Sequence, residues 1–161
     1  MQVRTIRSVV YFAAGVGLIV AIFAAAEYFE ASLRSLCSLS TFFSCSAVDQ
    51  SGRTTTLGVP DYAWGIGGFL AILIVAGIAE SRAEDLRWTY ALLGLTTAGV
   101  ALSLYLLYVE LALINALCIV CASAYVFGAI AWVGSIGLVR ATRSERSTED
   151  GDDGDATAGP G

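Results

Sequence analysis

The sequence predicts an all-α membrane protein built as a bundle of four transmembrane helices. Three observations carry that prediction. First, 57% of the 161 residues are apolar before the 17 glycines are counted, against roughly 45–50% with glycine included in an average soluble domain. Second, four uncharged stretches, Ser8 to Ala26, Tyr62 to Ala79, Trp88 to Val109 and Leu111 to Val139, are each long enough at about 1.5 Å per residue to cross a hydrocarbon core of about 30 Å, given slight tilt or flank burial. Third, the arginines are distributed asymmetrically about those stretches.

The first span is expected over 8–29. Arg4 and Arg7 ahead of an apolar run, with Ala24, Ala25 and Ala26 behind it, also suit a cleavable leader. However, the run of 19 residues exceeds the ~7–15 of a leader's apolar core, which favours a retained helix. Within it Ala13, Gly17, Ala21 and Ala25 recur every fourth residue. Such a ladder of small side chains lets a neighbouring helix approach closely.

A loop over 30–61 follows, and the second and third spans are expected at 62–79 and 88–109. The fourth uncharged run would make a helix of about 43 Å, too long for one upright span. Asn115 marks the expected break, so Leu111 to Ala116 are assigned to an outer loop or interfacial turn and the fourth helix to 117–139. These elements make one domain over 1–139. Residues 140–161, with three arginines against six carboxylates and many Gly, Ser and Thr, are expected to form a disordered acidic tail. No internal repeat is visible.

Seven of the nine arginines (4, 7, 82, 87, 140, 143 and 146) lie on one side of this arrangement, and only Arg34 and Arg53 fall in the other loops. The excess of basic residues on the cytoplasmic side puts both termini in the cytoplasm and the loop over 30–61 outside, as in a multi-pass protein of the cell membrane. The chain has no histidine, and its only methionine is Met1. His or Met ligation of haem, a histidine metal centre and a Ser-His-Asp triad are therefore excluded. A net charge of −5 with scattered arginines gives no basic stripe for nucleic acid. Glu27, Glu30 and Glu110 are placed at the outer membrane edge, where charged residues usually mark an interface. Proton transfer by Glu110 is the lesser alternative.

What remains for chemistry is Cys37, Cys45, Cys118 and Cys121, all four on the outer, oxidising side, where disulfides form and persist. The C-I-V-C motif at 118–121 opens the fourth helix. A helix N-terminus presents unpaired N–H groups and the positive end of the dipole, which stabilise a thiolate, so a reactive dithiol belongs there. At ~100° per residue Cys118, Cys121 and Tyr125 fall at roughly 0°, −60° and −20°, on one narrow face. The Tyr125 phenol is then one turn deeper than the second sulfur and can hydrogen-bond a carbonyl oxygen held against it. Three other readings stand beside redox chemistry: structural bridges, a chance C-x-x-C in an apolar run with Tyr125 as a belt residue, and a four-thiolate zinc site. Zinc is disfavoured because one cysteine pair opens a membrane span and the spacing matches no known finger or ribbon.

The motifs C-S-L-S-T-F-F-S-C-S-A-V (37–48), G-V-P (58–60), W-G (64–65), S-L-Y-L (103–106) and C-I-V-C followed by Tyr125 resemble, in sequence and order, the vitamin K epoxide reductase family. The resemblance covers about residues 8–139 and includes prokaryotic disulfide-forming members. It implies a four-helix bundle around a membrane quinone that serves as electron acceptor, capped by the outer loop. By position, Cys121 would be the sulfur facing the quinone and Cys118 its disulfide partner. Cys45 would be the shuttle that exchanges with Cys118, and Cys37 the cysteine that meets a thioredoxin-like thiol protein outside. Tyr125 and Trp64 would line the quinone pocket. The vertebrate enzymes use a buried asparagine on the second helix to hydrogen-bond the quinone, and residues 62–79 contain none. Many prokaryotic members carry a fused thioredoxin-like domain, so here the partner is expected to be a separate chain. The expected activity is quinone-linked oxidation of that partner, supporting disulfide formation. The alternatives are a vitamin K type quinone or epoxide reductase running the same sulfurs in reverse, and a non-catalytic membrane scaffold.

Overall fold

The computed structural model describes residues 2–30, 55–56, 58–82 and 85–155. Helix α1 (Gln2–Phe29) is followed by a two-stranded antiparallel ribbon, β1 (Thr55–Thr56) and β2 (Val59–Pro60), and then by α2 (Asp61–Ser81) and α3 (Leu86–Tyr108). A π-helical turn, Val109–Ile114, continues α3, and α4 runs from Ile119 to Asp155. The ribbon pairs Thr55 with Pro60 and Thr56 with Val59. Gly58 turns it at φ 80°, a backbone that side chains with a Cβ adopt poorly. Pro60 then precedes α2, where its fixed φ and missing N–H do no harm.

Four segments are long and apolar enough to span a membrane: Val3–Phe29, Asp61–Ser81, Leu86–Ile114 and Ile119–Ser144. Each helix packs on its neighbours in the chain, and α1 closes the ring against α4. The core runs down the axis, with Val10, Ala14 and Ala21 of α1, Phe69, Ile72 and Ala76 of α2, Leu92 of α3 and Leu138 of α4 all buried. The small-residue ladder works as its spacing predicts: Ala13 and Ala21 are buried, and Gly17 lies directly under the Phe69 ring. Against α4, Gly134 receives Val10, whose Cγ2 lies 2.7 Å from where a Cβ on Gly134 would sit. Buried hydroxyls inside the spans close on their own helices, Thr96 onto Leu92 O (3.0 Å) and Ser135 onto Ala131 O (2.8 Å), as backbone polar groups require in lipid.

At the end that carries the chain terminus, Glu80 ties α2 to α1, accepting from Tyr11 Oη at 2.9 Å and pairing with Arg7 at 3.4 Å. Asp85 caps α3 by accepting the Arg87 N–H at 3.2 Å. The opposite end carries an aromatic cluster of Tyr28, Phe29 and Tyr62 with centroids 5.1–5.9 Å apart.

Several boundaries differ from those the sequence suggests, beginning with α1, which starts at Gln2 and not near Ser8. Residues 111–114 are not loop but π-helix, because nothing apolar in that stretch ends the helix until Asn115, which adopts a left-handed φ of 56°. The chain then crosses to Ile119, so α4 begins two residues later than expected. Helix α4 also continues to Asp155, through much of the segment expected to be a structureless tail. Extending a formed helix adds one hydrogen bond per residue without a new nucleus.

Candidate functional site

The break at Asn115 positions the dithiol. The Asn115 and Ala116 N–H groups both close on the Glu110 carbonyl oxygen, the latter at 3.2 Å, which folds the connection back over the end of α3. Cys118 then takes the N-cap position of α4, with its carbonyl accepting the Ala122 N–H at 2.9 Å. Its sulfur accepts the Cys121 N–H at 3.2 Å. Serine, threonine or aspartate usually makes this bond to the third residue of a helix. A backbone donor aimed at sulfur at a helix N-terminus is the arrangement that stabilises charge on a thiolate.

Cys118, Cys121 and Tyr125 line one cavity of about 160 Å³ to which all four helices contribute residues. That volume is far above the ~10–15 Å³ needed for a single water. Trp64 and Phe69 of α2, Gly99 of α3 and Ala21 of α1 form its apolar walls, and Glu27, Asp61 and Glu110 bring carboxyl groups to it. The helical-face argument therefore holds for Cys118, Cys121 and Tyr125, and Trp64 joins them across the cavity. Cys37 and Cys45 lie outside the described residues. Among the described residues no cluster of three or more Cys, Asp or Glu side chains is arranged to hold a metal ion.

The carboxylates correct the sequence reading. Glu30 is exposed, as an interfacial marker should be, but Glu27 and Glu110 are only 3% and 4% exposed. Glu110 Oε1 accepts the Tyr125 hydroxyl at 2.7 Å and Oε2 accepts the Cys118 N–H at 3.1 Å. The single phenolic hydrogen of Tyr125 is thus directed at Glu110. A signal was present in the sequence: Glu110 is the only charge between uncharged runs of 22 and 29 residues, and an ionisable residue inside a span is a functional candidate by default.

The fold and site define a four-helix membrane bundle that opens its last span with a C-x-x-C dithiol facing a largely apolar cavity. The sequence profile of the vitamin K epoxide reductase family matches residues 8–136, and the chain belongs to that family. It is thereby a multi-pass membrane protein of an oxidoreductase family.

Proposed function

We propose that the protein oxidises a thioredoxin-like thiol partner outside the cytoplasm and passes the electrons to a membrane quinone. The single observation that carries this is the shared cavity: the Cys118/Cys121 dithiol, the Tyr125 phenol and the Trp64 indole converge on one largely apolar space between the helices. A planar, lipid-soluble acceptor has the chemistry to occupy it, and the residues present fit one. The walls are largely apolar, Trp64 contributes aromatic surface, and the Tyr125 hydroxyl lies at the cavity. A quinone bound there supplies a sink for two electrons and two protons.

In this mechanism the Cys37–Cys45 disulfide takes electrons from the partner dithiol by exchange through a mixed disulfide. Cys45 then attacks Cys118 in the Cys118–Cys121 disulfide, and Cys121 is left as a thiolate facing the cavity. Exchange needs only thiolates and access, so a chain without histidine suffices. The arginine distribution supports cytoplasmic termini and an outward-facing dithiol, with residues 140–161 in the cytoplasm. Quinone as the sink favours oxidation of the partner over the reverse reaction.

The test uses the full chain in proteoliposomes with reduced thioredoxin-like protein and a quinone. Equimolar loss of quinone absorbance and of partner dithiol is expected, and both should be abolished by Cys118→Ser or Cys121→Ser. Thiol-driven reduction of an epoxide with no oxidation of the partner would support the reverse enzyme instead. A cysteine state that never responds to quinone would leave only a scaffold.

A further inference from the structure

Glu110 occupies a place that an interfacial marker does not need. It is buried, both of its carboxyl oxygens are engaged, and its backbone carbonyl holds the connection to α4. It sits at the second position of the π-helical turn, an irregularity found often at functional sites. The turn places this carboxyl between the backbone of Cys118 and the hydroxyl of Tyr125.

We propose that Glu110 takes up a proton released by the Cys118/Cys121 dithiol and passes it to Tyr125, which delivers it to the acceptor in the cavity; this rests on the quinone reading above. A phenol has one hydrogen, and that of Tyr125 is spent on Glu110. Tyr125 can donate into the cavity only when a proton on Glu110 replaces that bond from the other side. The 2.7 Å O···O contact serves both states: the hydroxyl donates to a carboxylate in one, and a carboxylic acid donates to the hydroxyl oxygen in the other. The Cys118 N–H bond keeps the carboxyl beside the cysteine whose thiol gives up the proton.

The step balances. Counted from two protonated thiols, closing the Cys118–Cys121 disulfide forms one S–S bond and releases two electrons and two protons, the proton of the Cys121 thiolate having left earlier. Both electrons go to the quinone, where two O–H bonds form. One proton travels by Glu110 and Tyr125. The other thiol proton leaves to solvent at the outer mouth and is replaced from solvent at the second oxygen. Glu110 acts through Tyr125 and is a positioning residue that also holds a proton. Glu27 of α1 and Asp61 of α2 face the same cavity, while the hydrogen bond of Tyr125 is made to Glu110.

Glu110→Gln separates proton transfer from positioning. Glutamine keeps the size, can accept the Cys118 N–H with its oxygen and can donate its amide hydrogen to the Tyr125 oxygen, but it carries no proton. If Glu110 only positions, this variant frees the Tyr125 hydrogen for the cavity, and turnover holds or rises. If Glu110 relays, turnover at saturating quinone falls about 100-fold, within the range for a lost general acid or base. A second readout needs no quinone. The infrared difference between the chemically oxidised and reduced dithiol should show a carboxylic acid band appearing on oxidation. That band should be absent in Glu110→Gln and shifted in Tyr125→Phe, which removes one hydrogen bond from the carboxyl but leaves Glu110 in place. Wild-type protein that reduces no quinone would overturn the quinone reading, and the infrared comparison would still decide whether Glu110 receives the proton. Turnover of Glu110→Gln within about threefold of an active wild type overturns the relay, as does a difference spectrum without the band or with one unmoved in both variants.

Discussion

Gly17→Ala should destabilise the bundle although it adds only a methyl group to a helix. The new Cβ would overlap the Phe69 ring of α2, which is 7% exposed and packed in the core. Overpacking a filled core costs ~1–3 kcal/mol, and alanine's better helix propensity returns at most ~1 kcal/mol. A net loss of up to about 2 kcal/mol is expected, toward the upper end because the new Cβ meets three atoms of one ring. The ring's easiest escape is toward the cavity it lines, so quinone affinity should fall together with stability. Gly15→Ala is the control, because a Cβ there meets nothing within 4 Å, and the change should be neutral to stabilising, by at most ~1 kcal/mol. Phe69→Leu removes the obstacle. The Gly17→Ala/Phe69→Leu double variant should therefore be more stable than the sum of the single changes predicts, by an interaction energy of ~0.5–3 kcal/mol. Denaturant or thermal unfolding in detergent measures all four proteins. Additive effects, or a Gly17→Ala protein as stable as wild type, would refute the tight α1–α2 contact.

Four further outcomes follow from the site and the topology. Tyr125→Phe removes the hydroxyl that delivers the proton in the proposed relay, so quinone turnover should fall roughly 100-fold or more while thiol exchange among the cysteines continues; an unchanged rate at limiting quinone would make Tyr125 a belt residue. In Cys121→Ala the Cys118 thiolate can still attack Cys45 of the Cys37–Cys45 disulfide, releasing Cys37, and no Cys121 thiol remains to displace Cys45 from the helix side, so non-reducing peptide mapping should find the Cys45–Cys118 bridge accumulating. Cys37→Ala should instead block exchange with the partner while Cys118–Cys121 still forms with quinone. A membrane-impermeant thiol reagent added outside should label reduced Cys37 and spare a cysteine introduced at the exposed position Ser147; the opposite pattern would invert the topology.

The four spans are legible because lipid imposes a one-dimensional rule, and the charges at Glu30, Arg82 and Arg87 punctuate the chain where that rule is broken. The break at Asn115 is legible too, since a single polar residue interrupts a run too long for one helix. What happens on either side of it is not. Whether Leu111 to Ile114 continue a helix or leave it depends on where the Asn115 and Ala116 N–H groups find an acceptor, and that acceptor is the carbonyl of Glu110, set by the fold of the connection. The Cys118, Cys121 and Tyr125 face follows from helical spacing alone. The partner of Tyr125 does not, because Glu110 reaches it from another segment. Counting charges along the membrane normal puts Glu110 at an edge but cannot say which way the side chain turns.

The N-cap geometry also bears on how little the dithiol must move. The Cys121 N–H already draws the Cys118 sulfur toward its proposed disulfide partner, and Glu110 fixes the Cys118 backbone from the other side. Opening or closing the disulfide then requires rotation of two short side chains within a held turn, not a rearrangement of the connection. A serine at 118 would cap the helix at least as well, so capping does not explain the sulfur. The proposed mechanism gives the sulfur its use: it is attacked and released repeatedly from a fixed position, as thiol exchange on one side and electron delivery into the cavity on the other would both demand.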